Sequence, residues 1–177
     1  MTAAEPMTSG DPTSSPAFAE AIAALYPVAY KLKFASKLDL GRDYVVPPLE
    51  ALWWPDDMGS FTTRRDKARW QWSVMLMVPG WIEQPMVTTA VEQARARSRP
   101  KRVDDVCLTA LSEGRCVQTL HVGSFEDEAE VPAHMHDDVI PGQGLRMVGK
   151  HHEIYLSDFR RVAPEKQRTI LRQPVDT

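Results

Sequence analysis

The chain has 177 residues, 43% hydrophobic and 25% charged, enough apolar side chain for one globular domain with a real core. Its net charge of −3 and pI near 6.0 lack the basic surface from which general nucleic-acid and anionic-membrane binders draw their affinity. No apolar run approaches the roughly 20 residues of a membrane helix and no signal-peptide pattern opens the chain, so a cytoplasmic protein with neither nucleic-acid nor membrane partner is expected. Cys107 and Cys116 are too few for a disulfide scaffold and are expected as buried thiols.

In chain order, residues 1–15 are mostly Thr, Ser, Pro, Gly and Ala with almost no large apolar side chain, a composition that predicts a disordered tail. Ser15-Pro16 reads as a helix start, with the hydroxyl as N-cap and proline in the first turn. Phe18, Ile22, Leu25, Ala29 and Leu32 keep helical spacing, and Tyr26, Tyr30 and Phe34 form a second stripe that reads first as core. Pro27 should kink this helix, and Gly41 should end it.

Tyr44 to Trp54 reads as a strand weakened at Pro47-Pro48, where two donors are missing. Alternation puts Leu49, Ala51 and Trp53 on one face and Glu50, Leu52 and Trp54 on the other. Asp56 to Lys67 is a polar loop, and Trp70 to Val78 is apolar almost throughout, as suits a strand covered on both faces. A helix follows Pro79-Gly80, with Pro85 early in it, Met86, Ala90, Val91 and Ala94 on one side, and Arg95, Arg97, Arg99, Lys101 and Arg102 at its end. The helix dipole accounts for that basic cluster at this overall charge.

Val106–Leu111 and Arg115–Val122, joined at Glu113-Gly114, read as a hairpin. The acidic stretch Glu126 to Glu130 leads into a helix carrying Val131, Met135 and Val139, broken by Gly142 and Gly144. Residues Lys150 to Asp158 carry two imidazoles, a carboxylate and a phenol on one short strand. Ile154 and Leu156 alternate there with Glu153 and Tyr155, so the acid and the phenol share a face. On an ordinary sheet that is the solvated side; on a covered face the carboxylate must pair, accept hydrogen bonds or take up a proton. Pro164-Glu165 restarts the chain, and pattern leaves Arg168 to Val175 open between strand and short helix. His134, His136, His151 and His152 are candidate metal ligands by type. Adjacent strand residues face opposite ways and positions two apart on a helix diverge, so neither pair chelates, and no metal or other cofactor is expected.

Four segments together carry a family likeness. Leu49-Glu50-Ala51-Leu52-Trp53-Trp54-Pro55-Asp56-Asp57, Trp70-Gln71-Trp72-Ser73-Val74-Met75-Leu76-Met77, His121-Val122-Gly123-Ser124-Phe125, and Gly149 to Asp158 followed by Arg160-Arg161 and Pro164-Glu165-Lys166 resemble the GyrI-like small-molecule-binding proteins, most closely a stand-alone branch. The likeness covers about residues 10 to 175. It implies an α+β fold of two tandem strand-helix-strand-strand modules related by a pseudo-twofold axis, with a ligand cleft between them, occupying residues 16–177, and it implies that Arg168 to Val175 is a strand. Family members begin with a strand that Met1 to Ser9 looks too short and polar to supply. Module one is therefore expected to lack its first strand, and either the start lies upstream or one sheet edge is open.

For function, the resemblance implies binding of amphipathic, aromatic or cationic small molecules in an aromatic-lined cleft, in xenobiotic sensing, sequestration or detoxification. Glu153 matches the family's acidic position, with Tyr155 beside it, and Trp54, Trp72 and Tyr30 are the expected cleft walls. Some members are hydrolases that open strained cyclopropane rings of genotoxic natural products, and there Glu153 would be the general base with Tyr155 as hydrogen-bond donor. Inhibition of a DNA-associated enzyme by protein contact is a third implied role.

Overall fold

A computed structural model describes residues 2–4, 7–9, 16–55, 70–124, 130–158 and 160–177. In chain order the elements are β1 (Thr2–Ala4), β2 (Met7–Ser9), α1 (Pro16–Asp39), β3 (Leu49–Pro55), β4 (Trp70–Met75), β5 (Met77–Val78), α2 (Gln84–Ser98), β6 (Leu108–Ala110), β7 (Cys116–Val122), α3 (Glu130–His134), a π-helical turn (Met135–Val139), α4 (Ile140–Gly142), β8 (Arg146–Met147), β9 (His151–Tyr155) and β10 (Arg168–Asp176). Helices and antiparallel sheet make the protein α+β. The chain forms two compact units, one of Met1–Pro47 and Lys67–Ser112, the other of Pro48–Asp66 and Glu113–Thr177. Among the described residues no helix is long and apolar enough to cross a membrane.

In the first unit α1 runs unbroken through Pro27 and buries Ala21, Leu25, Val28, Ala29 and Leu32 along one stripe, the i, i+3, i+4 spacing that its sequence carries. Both the Leu40 and Arg42 N–H groups donate to the Ser36 carbonyl, at 3.2 and 3.0 Å, with Gly41 between them at φ 66°, which closes the helix in the left-handed conformation glycine adopts at least cost. α1 packs on α2 through Val87, Ala90 and Ala94, and α2 opens with Pro85 in its first turn, where a missing N–H costs nothing. The basic cluster at the end of α2 has local acidic partners. Arg95 pairs with Asp104, Lys101 with Glu20 at 2.7 Å, and Arg102 with Asp105 at 3.0 Å.

Four expectations are corrected here. Residues 2–4 and 7–9 are strands: β1 pairs antiparallel with both β5 and β6, and β2 pairs with β4, so the missing first strand is corrected and so is the disordered tail for these six residues; the rest of residues 1–15 lies outside the described residues. Composition misses them because ladder pairing is a backbone interaction and needs no large apolar side chain. The aromatic stripe of α1 is surface and not core, with Tyr30 at 48% and Phe34 at 53% exposure. Val106–Leu111 and Arg115–Val122 do not pair as a hairpin; β6 joins β1, while β7 joins β10 in the other unit. Alternation shows that a segment is a strand but does not name its neighbour.

The second unit is an antiparallel sheet in the order β3-β9-β10-β7, with β8 on the far end of β10, which settles Arg168–Asp176 as a strand. Its register is regular and defines two faces. Leu49, Ala51 and Trp53 stand opposite Tyr155, Glu153 and His151, and Thr169 and Leu171 continue those rows. Met135, Ile140 and Leu145 pack on Leu171 and Val175, so the helical segment covers this face over β10. Glu50, Leu52, His152, Ile154 and Arg172 lie on the other face. Gly149, at φ 64°, makes the bend into β9, and a Cβ there would press within 3.4 Å of Pro174. Cys107 is exposed and Cys116 half-buried, so neither is the buried thiol its type suggests.

Candidate functional site

β9 carries three functional side chains on one face and one on the other. Tyr155 and Glu153 stand two residues apart, and the phenol donates to the Glu153 carboxylate Oε2 at 2.6 Å, a short charge-assisted bond. The other oxygen, Oε1, lies 3.8 Å from Nε2 of His151, one further step along the face and too far for a hydrogen bond. Glu153 is not a solvated strand residue: its side chain keeps only 12% of its exposure, His151 keeps 5%, and Tyr155 is buried. Trp53 faces His151 across the β3–β9 ladder.

His151 is held neutral. Burial is the main cause, with the neighbouring rings of His136 and His152 adding to it, and its pKa falls to about 3 despite a hydrogen bond with Gln173. The His136 ring meets it edge-on at 5.6 Å from the π-helical turn.

His152, the adjacent residue, faces the other way and has the opposite charge state. Its Nδ1 donates to Glu113 at 2.9 Å and its Nε2 to Glu50 at 2.8 Å. Two carboxylate acceptors require two N–H groups, so the ring is an imidazolium. Burial alone would push its pKa down; the hydrogen bonds to Glu113 and Glu50 outweigh burial and raise it. Arg172 extends the chain, donating to Glu113 at 3.1 Å and to Gln118 at 3.0 Å. Burial would lift the Glu113 carboxyl, and the bonds from His152 and Arg172 reverse that and hold it low. The network joins β3, β9, β10 and β7 across one face of the sheet.

The expected site residues divide accordingly. Glu153 and Tyr155 are brought together. Trp54 is on the opposite face from Glu153, with the Lys150 ammonium 3.4 Å above its ring, so it does not wall the same surface. Trp72 belongs to the first unit and is a core residue at 0% exposure, edge-on to Phe18 at 5.1 Å. No ligand could touch it without displacing the core. Tyr30, also in the first unit, is exposed and stacks on Tyr26 at 6.5 Å. Sequence reasoning missed Trp53, His136 and the Glu50–His152–Glu113 network. Alternation along β3 separates Trp53 from Trp54, but which of them shares a face with Glu153 depends on the β3–β9 register, which a single chain segment does not state. The adjacent histidines were legible as facing opposite ways, and the register bears that out.

The arrangement offers a carboxylate, a phenol and a neutral imidazole along one mostly buried strand face, a set suited to holding a polar or cationic group or to accepting a proton from water. The sequence model of the GyrI-like small molecule binding domain matches residues 10–176. An uncharacterized conserved protein of Listeria innocua is similar in structure, with 36% identity, a TM-score of 0.88, and coverage of 99% of this chain and 88% of that one. A hydrolase from Listeria innocua is 35% identical, with a TM-score of 0.83, over 99% of this chain and 87% of its own. The C-terminal domain of EcmrR, at 8% identity and a TM-score of 0.63, covers 99% of this chain and 91% of its own and is similar in fold alone. No curated protein matches the sequence. The chain belongs to the family of GyrI-like small-molecule-binding domains.

Proposed function

We propose that the protein is a small-molecule hydrolase that takes flat, amphipathic substrates bearing a strained, electrophilic ring, with Glu153 as general base. The observation that carries this reading is the Tyr155–Glu153 pair, a carboxylate oriented by a 2.6 Å phenol bond on a mostly buried face. Similarity to a Listeria hydrolase at 35% identity over 99% of this chain supports it. For a cyclopropane conjugated to a carbonyl, the balanced step is addition of one water. The water oxygen bonds to the ring methylene while one of its protons goes to Glu153. The ring C–C bond breaks with its electron pair moving into the conjugated system. The carbonyl oxygen then takes up the proton from Glu153, giving an enol that carries a hydroxymethyl group, a phenol where the carbonyl belongs to a cyclohexadienone, and returning Glu153 to its carboxylate. Tyr155 keeps one carboxylate oxygen in place so that the other can meet the water.

A second reading is binding without turnover, in sequestration or sensing of aromatic cations. The low exposure of Glu153 favours it, because a poorly solvated carboxylate discriminates strongly by charge sign. Incubation with a cyclopropane-bearing alkylator and mass analysis of the product separates the two. A product heavier by one water, lost in Glu153→Gln, supports hydrolysis. Unchanged alkylator with tight, saturable binding leaves the binding reading.

A further inference from the structure

We infer that His152 is a positioning residue for Glu153: bonded from the reverse face to carboxylates on two other segments, it holds β9 against sliding and twist, and the site keeps its geometry only while the ring carries both of its protons. The inference deepens the proposed function and rests on Glu153 being the residue that meets the ligand.

The direction of the bond to Glu50 comes first. In the β3–β9 ladder His152 stands opposite Leu52, while Glu50 stands opposite Ile154. The 2.8 Å bond from Nε2 to Glu50 therefore runs diagonally, two residues out of register. Ladder hydrogen bonds run across the strands and resist their separation; a diagonal side-chain tie also resists sliding and rotation of one strand against the next. On the other side of the ring Nδ1 donates at 2.9 Å to Glu113, in the turn before β7. That bond reaches past β10, whose Arg172 stands opposite His152 in the ladder and donates to the same Glu113 at 3.1 Å. β9 has only five residues over which its ladders can fix its twist, so ties from its neighbours carry weight.

Adjacency carries the effect to the site. Successive side chains leave a strand on opposite faces, so a rotation of β9 about its axis that frees His152 swings Glu153 through the same angle on the other face. Glu153 has little room for that swing. Its side chain keeps 12% of its exposure and its carboxylate takes the 2.6 Å bond from Tyr155. A displacement of about 1 Å at a reacting group costs on the order of 100-fold in rate.

The protons on the ring make this tie conditional. Two carboxylate acceptors on one ring demand two N–H donors, and the protons belong to the ring because imidazole is more basic than a carboxylate. Among the described residues, the charged groups brought to this cluster are Glu50 from β3, Glu113 from the turn before β7 and Arg172 from β10, with His151 next to the ring on β9. The two acids balance the imidazolium and the guanidinium. Loss of one ring proton leaves both acids with Arg172 alone and sets a carboxylate oxygen against a nitrogen lone pair. His152 has no exposed surface, so water does not fill the gap. The raised pKa of His152 agrees with this arrangement and puts the loss of the proton above the ordinary imidazole range. Activity at Glu153 should therefore fall at alkaline pH, although rising pH by itself only favours the ionised form of that carboxylate.

The test follows hydrolysis of the cyclopropane-bearing alkylator by the full chain from about pH 6 to 10, with the spontaneous reaction subtracted, beside a nitrogen NMR titration of His152. In the parent, kcat should drop at least about tenfold along an alkaline limb whose midpoint matches the loss of the His152 proton. Glu50→Gln keeps an oxygen acceptor for Nε2 and removes one charge, so both midpoints should move down together by at least about one pH unit. A merely structural loss would lower turnover at every pH and leave the midpoint where it was. A limb that belonged to the Tyr155 phenol would not follow Glu50, which lies on the reverse face. A limb that stays in place while the NMR midpoint moves overturns the inference, and so does a parent without an alkaline limb below about pH 10. If Glu50→Gln does not fold, the parent decides alone: coincident midpoints support the inference, and midpoints about a pH unit or more apart overturn it. If the alkylator is not turned over, binding of N-methylquinolinium, a flat cation whose charge does not titrate, is read over the same range instead. Turnover and cation binding both absent at every pH would remove the proposed function together with this role; either one present with a limb that ignores His152 would remove this role alone.

Discussion

Tyr155 bonds the Glu153 carboxylate and His151 stands 3.8 Å from it, and substitutions of the two should be separable. Tyr155→Phe removes the 2.6 Å donor and leaves a mostly buried carboxylate oxygen short of a partner, at a cost of about 1.5–3 kcal/mol for a bond to a charged group. The expected outcome is a lower melting temperature together with loss of turnover. A Phe variant as stable and as active as the parent would show that the bond does not orient the carboxylate. The two adjacent histidines bracket the pH range of stability. His151 has a folded pKa of about 3, below its ordinary 6.5, so between those values the unfolded chain binds the extra proton and stability rises with pH. His152 has a raised folded pKa, so its contribution is fully present below 6.5 and is lost as pH rises through the folded value. Denaturant titrations of wild type and His151→Gln should therefore differ by up to about 1.4 kcal/mol per pH unit across the acid window, and the Gln variant should be the flatter. Parallel curves there would contradict the neutral assignment. At this scale the sequence was informative about pairing along one strand, since Glu153 and Tyr155 two residues apart must share a face. It was silent about charge state, which depends on groups far away in sequence: Glu50 and Glu113 for His152, His136 and Gln173 for His151.

β9 is the element on which both clusters depend, and its alternation serves two chemistries at once. One face holds the proposed site; the reverse holds the Glu50–His152–Glu113–Arg172 chain, which fastens the strand to its neighbours. Glu50→Ala leaves the imidazolium short of one carboxylate in a buried setting and should cost about 3–5 kcal/mol. Glu50→Leu with His152→Leu removes both charges, and although Glu113 then relies on Arg172 alone, the pair should be less destabilising than Glu50→Ala. That ordering, measured by urea unfolding, distinguishes a broken ion pair from lost packing; a double variant worse than the single would sink the account. β9 itself was legible because its period is two and its flanks are Gly149 and Ser157. The network was not, since Glu50 is 102 residues from His152 and only the ladder brings them together. The same limit produced the false hairpin. Glu113-Gly114 has turn chemistry, with Gly114 at φ 67°, but the strands on either side find different partners.

For the whole chain, the family was legible in the sequence and the first residues were not. The motifs on β3, β4, β7 and β9 lie within a family match that spans residues 10–176, whereas residues 2–9 fall outside it and look like a polar tail by composition. What composition measures is side-chain burial, and the contribution of these residues is backbone pairing. β1 is the middle strand of β5-β1-β6, so removing it strips partners from two strands at once, and removing β2 strips one side of β4. Deletion of residues 1–9 should expose the edges of Met77–Val78 and Leu108–Ala110 and remove several ladder hydrogen bonds, each worth about 0.5–1.5 kcal/mol. A total loss of about 2–4 kcal/mol corresponds to a fall of roughly 4–16 °C in melting temperature for a chain of this size. Unpaired edges also template association, so the shortened chain should aggregate at concentrations where the parent stays dispersed. The loss should be confined to the first unit: amide hydrogen exchange should accelerate in β4, β5 and β6, while β9 and β10, which do not pair with the deleted residues, should keep their protection. An unchanged melting temperature, or exchange that accelerates first in β9 and β10, would show that residues 2–9 do not hold the sheet in solution.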